Sequence, residues 1–132
     1  MITVILLTLF WVLYAVLEGW REAHYFHRIM DTDKKTGKML HAWWNVQRAL
    51  VVAAMFVAYS SWWIIGLGLL FPFFHDGMYY FTRNKLNNVN YPKKWLAQSS
   101  TSTALLTKFE TPVARIIFML LGTCIIILDL LL

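Results

Sequence analysis

Positive charge is missing from three long stretches of this chain. No Lys or Arg lies in the first twenty residues, between Arg48 and Arg83, or after Arg115. Charge of either sign is scarce: 14% of the 132 residues are Asp, Glu, Lys or Arg. A soluble domain of this size carries about a quarter, so a membrane class is expected instead. Cysteine is nearly absent, and Cys124 alone excludes an intrachain disulfide and a redox pair. The motifs of several chemistries are missing as well. The chain has no HExxH, no Glu-x-x-His pair repeated on two helices, no Ser-His-Asp spacing and no phosphate loop.

The cation-free stretches are also the apolar ones. Hydrophobic residues make up 59% of the chain and mean hydropathy is +0.55. These values describe a polytopic membrane protein. The net charge of +5 follows from basic membrane loops under the positive-inside rule, and nucleic acid is not expected as a partner. The N-terminal MITVILLTLFWVLYAVL has no basic region before its apolar run and no small-residue cleavage site. It is expected to be a retained first span. With no obvious soluble domain outside the apolar segments, any chemistry is expected in or near the bilayer.

The expected fold is an all-α integral membrane protein, a four-helix transmembrane bundle running up-down-up-down as one domain, 1–132. The helices are expected at about 2–30, 40–59, 62–83 and 112–132, with cytoplasmic loops at 31–39 and 84–111 and both termini outside the cytoplasm. The apolar stretch from Met39 to Tyr80 would make roughly 60 Å of helix, about twice the hydrocarbon thickness. Tyr59-Ser60-Ser61-Trp62-Trp63 at its midpoint suits an interface, so a hairpin of two spans is expected. That hairpin puts all twelve cations on one face. The polar stretch Asp31–Lys38, which contains Gly37, reads as a turn. In the long segment after Asn84, Trp95 and Leu96 read as an interfacial anchor. Thr111 and Pro112 begin the last helix as cap and first-turn residue. Asp129 is expected at the outer interface and inert. The expected setting is a bacterial inner membrane.

Four helix ends then meet in the cytoplasmic leaflet and bring the ionisable groups to one depth. At about 100° per residue, Tyr14, Glu18, Arg21, Glu22 and Tyr25 form one stripe. His41, Asn45 and Arg48 form a second, continued by Val52. His75 and Tyr79 align on the third helix, with Asp76, Tyr80 and Arg83 beside them, and Thr111 aligns with Arg115 on the fourth. Polar groups at this depth belong inside the bundle, facing one another. Pro72, among Gly66, Gly68 and Gly77, removes a helix hydrogen bond just before His75 and Asp76.

Glu18 and Glu22 lie one turn apart and can present two carboxylates to a divalent metal, Zn, Mn or Fe. His41 and His75 would complete the ligand set, with Asp76 as ligand or as orienter of His75. Arg48 and Arg115 would position an anionic, lipidic or phosphate-bearing substrate, with Asp76 and Tyr79 in the catalytic set. The expected function is a membrane-embedded, metal-dependent hydrolase or transferase whose partners are membrane lipid and that substrate. The alternative is a non-enzymatic accessory subunit, small transporter or channel, or phage-type holin, whose polar layer is an ion-pair network. Four short helices bury a modest core, which makes a homodimer an expected assembly.

Overall fold

The computed structural model describes residues 2–29, 34–59, 61–89, 94–97 and 111–132; the side chains of 29, 34–42 and 58 lie outside that description. Among the described residues the chain is all-helical, with α1 at Ile2–Ile29, α2 at Lys34–Tyr59, α3 at Trp63–Leu86 and α4 at Pro112–Leu131. Two of the four, α1 over Ile2–Arg28 and α4 over Pro112–Leu131, are long and apolar enough to cross a membrane.

Helix ends follow local chemistry. The Thr111 hydroxyl accepts a hydrogen bond from the Ala114 N–H at 3.1 Å, and Pro112 occupies the first turn, where a missing N–H costs nothing. α3 closes at Asn87, whose N–H donates to the Arg83 carbonyl at 2.7 Å. One expectation is corrected at α2. Lys34–Lys38 are helical, so the turn expected over Asp31–Lys38 is not one along that part. Gly37 costs about 1 kcal/mol relative to Ala in a helix, too little to end one whose other residues there are mostly good helix formers.

α3 is the central element, with α1 on one side and α4 on the other. Contacts advance together along α1 and α3. The Trp11 indole N–H donates to the Leu67 carbonyl at 2.8 Å, and Phe26 meets Tyr79 further along, with ring centroids 6.4 Å apart. Between them the Gly19 backbone lies against the His75 carbonyl with no room for a Cβ. Contacts run in opposite senses along α3 and α4, where Gly66 and Gly122 allow close backbone approach and Tyr80 lies under Arg115. At the far end the Ser61 hydroxyl donates to the Asp129 carboxylate, 2.9 and 3.0 Å from its two oxygens. Asp129, for which the sequence offers no partner, thus ties the segment just before α3 to the end of α4.

α2 lies at the edge, with cavities along its flanks. It meets α3 at Val52 beside Gly68 and meets α1 through Trp44, which packs on Tyr25 and Phe26. Most of the buried apolar side chains fall in two clusters. Trp63, Ile64, Leu67, Leu70 and Ile126 make one; Ala23, Phe26, Tyr79, Tyr80 and Ala97 make the other. Glu18, Glu22, Arg48, His75 and Asp76 fall between these levels of the fold.

Candidate functional site

Glu18 and Glu22 of α1, Arg48 of α2, and His75 and Asp76 of α3 form one bonded cluster. The Arg48 Nη2 pairs with Glu22 Oε1 and lies 3.5 Å from Glu18 Oε1. The other Glu22 oxygen is 3.1 Å from His75 Nε2. Across the ring, His75 Nδ1 is 2.7 Å from Asp76 Oδ1. Neighbouring residues point about 100° apart on a helix, yet the short Asp76 side chain curls back to hold the His75 ring. Glu18 is also paired, 2.7 Å from the largely exposed Arg21.

Three features of the fold set this geometry. Gly19 lets α1 approach the α3 backbone at His75, bringing Glu22, one turn on, to imidazole distance. Phe71 is a shared platform: the His75 ring stacks on it at 4.9 Å between centroids, and the Arg48 guanidinium sits 4.9 Å from its centre. Asn45 Oδ1 accepts from Arg48 Nη1 at 3.3 Å. Buried charges survive only when paired and hydrogen-bonded, and each buried member here meets a partner of opposite charge or a ring nitrogen.

The cluster is most sealed at its middle. Side-chain exposure is 18% at Asp76, 5% at His75, 1% at Glu22 and 13% at Arg48. Asp76, His75 and Glu22 form a row in which each imidazole nitrogen faces a carboxylate oxygen, a geometry suited to handing a proton along it. His75 Nε2 also lies 3.2 Å from Arg48 Nη2, so a hydrogen on Nε2 directs the ring to Glu22 and its absence directs Arg48 to the ring.

Arg48 has a second side. It lines a groove of about 470 Å³ between α2 and α3, within the size range of small-ligand sites. Asn45 and Arg48 supply the polar end of the groove, and Val52, Phe56, Ile65 and Phe71 supply apolar wall. Arg48 therefore stands between the groove and the sealed carboxylates, with Nη2 turned to Glu22 and Nη1 to Asn45.

The residues singled out in the sequence separate in space. Glu18, Glu22, Arg48, His75 and Asp76 come together. Arg115 is fully buried elsewhere: its Nη2 donates to the Ala97 carbonyl at 2.8 Å, its guanidinium covers Tyr80, and its Nε and Nη1 have no partner among the described residues. Tyr79 packs in the apolar cluster against Phe26 and Tyr80. The His41 side chain lies outside the described residues. Among those described, no group of three or more His, Cys, Asp or Glu is placed to hold a metal ion, and the expected Zn, Mn or Fe gains no support. Phe71, Gly19 and Trp11 are additions that the sequence reading lacks. A glycine one turn before Glu22 and an aromatic one turn before His75 are the available signals.

Compared with protein-family models, curated proteins and solved structures, the chain matches none.

Proposed function

We propose that this chain is an integral membrane enzyme that holds a lipid-like anion in the groove beside Arg48 and acts on it by acid–base chemistry through His75. On this reading all four helices cross the membrane, up-down-up-down, in a bacterial inner membrane. The connections between α1 and α2 and between α3 and α4, with the polar helix ends that flank them, face the cytoplasm, and both termini face out. Two observations support the membrane part. α1 and α4 pass the length and hydropathy requirements of a span. The exposed side chains of these helices include Leu9, Phe10 and Leu13 on α1 and Ile117, Leu120 and Leu121 on α4, a surface for lipid rather than water. α1 is about 42 Å long, against a hydrocarbon core of about 30 Å, so Glu18 and Glu22 fall near one interface.

One observation carries the functional part: Arg48 touches the groove and the buried carboxylates at once. Arg presents up to five N–H donors in a fixed fork. Glu22 holds Nη2 and the Asn45 carbonyl oxygen accepts from Nη1, so the guanidinium is fixed at the polar end of a groove with apolar walls. A headgroup bound there lies one residue away from the Glu22–His75–Asp76 row. The test is native mass spectrometry of the full chain released from non-ionic detergent. Wild type is expected to retain an anionic lipid that Arg48→Gln loses. Retention of the same lipid by Arg48→Gln, or none by wild type, overturns the reading.

The non-enzymatic reading is favoured by the charge balance. Three carboxylates, Glu18, Glu22 and Asp76, face two arginines and one histidine, as a structural network would. Glu22→Gln and His75→Gln separate the two: a folded, lipid-retaining protein with unaltered cellular function selects the structural network.

A further inference from the structure

We infer that the groove takes a single acyl chain lying along α2 with its oxygen-bearing headgroup at Arg48 and Asn45; this rests on the reading of Arg48 given under Proposed function. The shape of the groove carries the inference. On α2, Asn45, Ala49 and Ala53 follow one another at four-residue spacing, and Arg48, Val52 and Phe56 form the adjacent row. Both rows therefore begin with a polar side chain and continue with apolar ones. The first row is hollowed by two alanines, and Gly68 seats the Val52 side chain of the second row against α3. A Cβ on Gly68 would stand 3.3 Å from a Val52 methyl, so α2 and α3 touch at that level and the groove runs beside the contact, along the Ala49 and Ala53 row.

Length gives the second argument. From Asn45 to Phe56 the helix rises roughly 16 Å. Half of the hydrocarbon core is about 15 Å. The groove thus matches one chain of one leaflet in length, with its polar end at the interface level. Trp11, fixed by its hydrogen bond to the Leu67 carbonyl, forms a further wall.

Hydrogen bonding gives the third. The Asn45 carbonyl oxygen accepts from Arg48 Nη1, which leaves the Asn45 amide NH2 to donate elsewhere. Arg48 has donors and no acceptor. The polar end therefore offers donors, and the complementary headgroup is an acceptor: a carboxylate, a sulfonate or a phosphate. A fatty acid and a phospholipid share that chemistry.

The experiment uses hexyl and dodecyl sulfonate as probes of the full chain in non-ionic detergent, with bound probe read by native mass spectrometry. Ala53 is exposed and lies deep along the groove, so Ala53→Leu blocks the chain path without touching the polar end. Ala53→Leu is expected to weaken dodecyl sulfonate at least about tenfold, the equivalent of roughly 1.4 kcal/mol, and to leave hexyl sulfonate nearly unchanged. Ala53→Phe, a second block at the same point, is expected to do the same. Arg48→Gln is expected to weaken both probes. If both Ala53 variants bind dodecyl sulfonate as wild type does while Arg48→Gln does not, the acyl-chain inference is overturned and the headgroup reading stands. If Arg48→Gln binds both probes as wild type does, the headgroup reading falls and the inference falls with it.

Discussion

Arg48 and Glu22 form the ion pair that ties α2 to α1, and Glu22 also meets the His75 ring of α3. One carboxylate thus joins three helices at a level where water is largely excluded. Removing one partner of such a pair leaves an unpaired buried charge, at about 3–5 kcal/mol. Glu22→Ala is therefore expected to destabilise the protein by that order. Removing both charges relieves the penalty, so Glu22→Ala with Arg48→Ala should cost less than the sum of the two singles. Thermal unfolding of the four proteins in detergent measures the coupling. Strict additivity would show that the pair is not coupled.

Gly19 is the point at which α1 touches the α3 backbone, and the contact is with the carbonyl of the residue whose side chain the cluster uses. A methyl group there must push the helices apart. Overpacking of this kind costs about 1–3 kcal/mol, and it also lengthens the Glu22–His75 contact. Gly19→Ala should lower the unfolding temperature, and Gly19→Val should lower it further. Leu17, two residues earlier on α1, is exposed and serves as a control. Leu17→Ala should move the unfolding temperature less than Gly19→Ala does. An unfolding temperature in Gly19→Ala no lower than in Leu17→Ala would show that the close approach does not hold the helices.

The four helices were legible because apolar runs, basic intervals and the Thr111-Pro112 start are local signals. The inward faces of Glu18, Glu22, Arg48 and His75 were legible because helical phase and the expense of burying charge point the same way. Arg115 reads in the sequence as a companion of Arg48, and it is not one. Phase gives the face of a helix but not its neighbour, and α4 packs on the opposite side of α3 from α1. The groove is hidden in the sequence for a related reason. Asn45, Ala49 and Ala53 are an ordinary row until α2 is known to stand at the edge of the bundle. The start of α2 is misplaced in the sequence reading because one glycine among polar residues is weak evidence for a turn.

Trp95, which the sequence marks as an interfacial anchor, docks on α3. Its indole N–H donates to the Phe73 carbonyl at 3.1 Å, and its ring fills the space that a Cβ on Gly77 would need. Trp95→Phe keeps most of the ring and loses the hydrogen bond, about 0.5–1.5 kcal/mol. Trp95→Ala loses both, and Gly77→Ala displaces the ring. Tryptic cleavage at Lys94 should be slow in wild type, faster in Trp95→Phe and fastest in Trp95→Ala and Gly77→Ala. Equal cleavage rates across the series would show that the docking does not hold the segment.

The four-span arrangement makes a prediction about sidedness that the site itself does not. Ser61 and Asp129 hold one end of the fold together, while Ala97 and Arg115 meet at the other. If α2 and α3 both cross, these ends face opposite aqueous phases. Cys124 is the one native thiol and is exposed, so Cys124→Ala gives a clean background. In that background, Trp62→Cys and Lys94→Cys should react with a membrane-impermeant maleimide from opposite sides of sealed vesicles. Trp62→Cys should label in intact cells and Lys94→Cys only in inverted membranes. Labelling of both from the same side would mean that α3 does not cross, and the cluster would then lie on a membrane surface rather than within a leaflet.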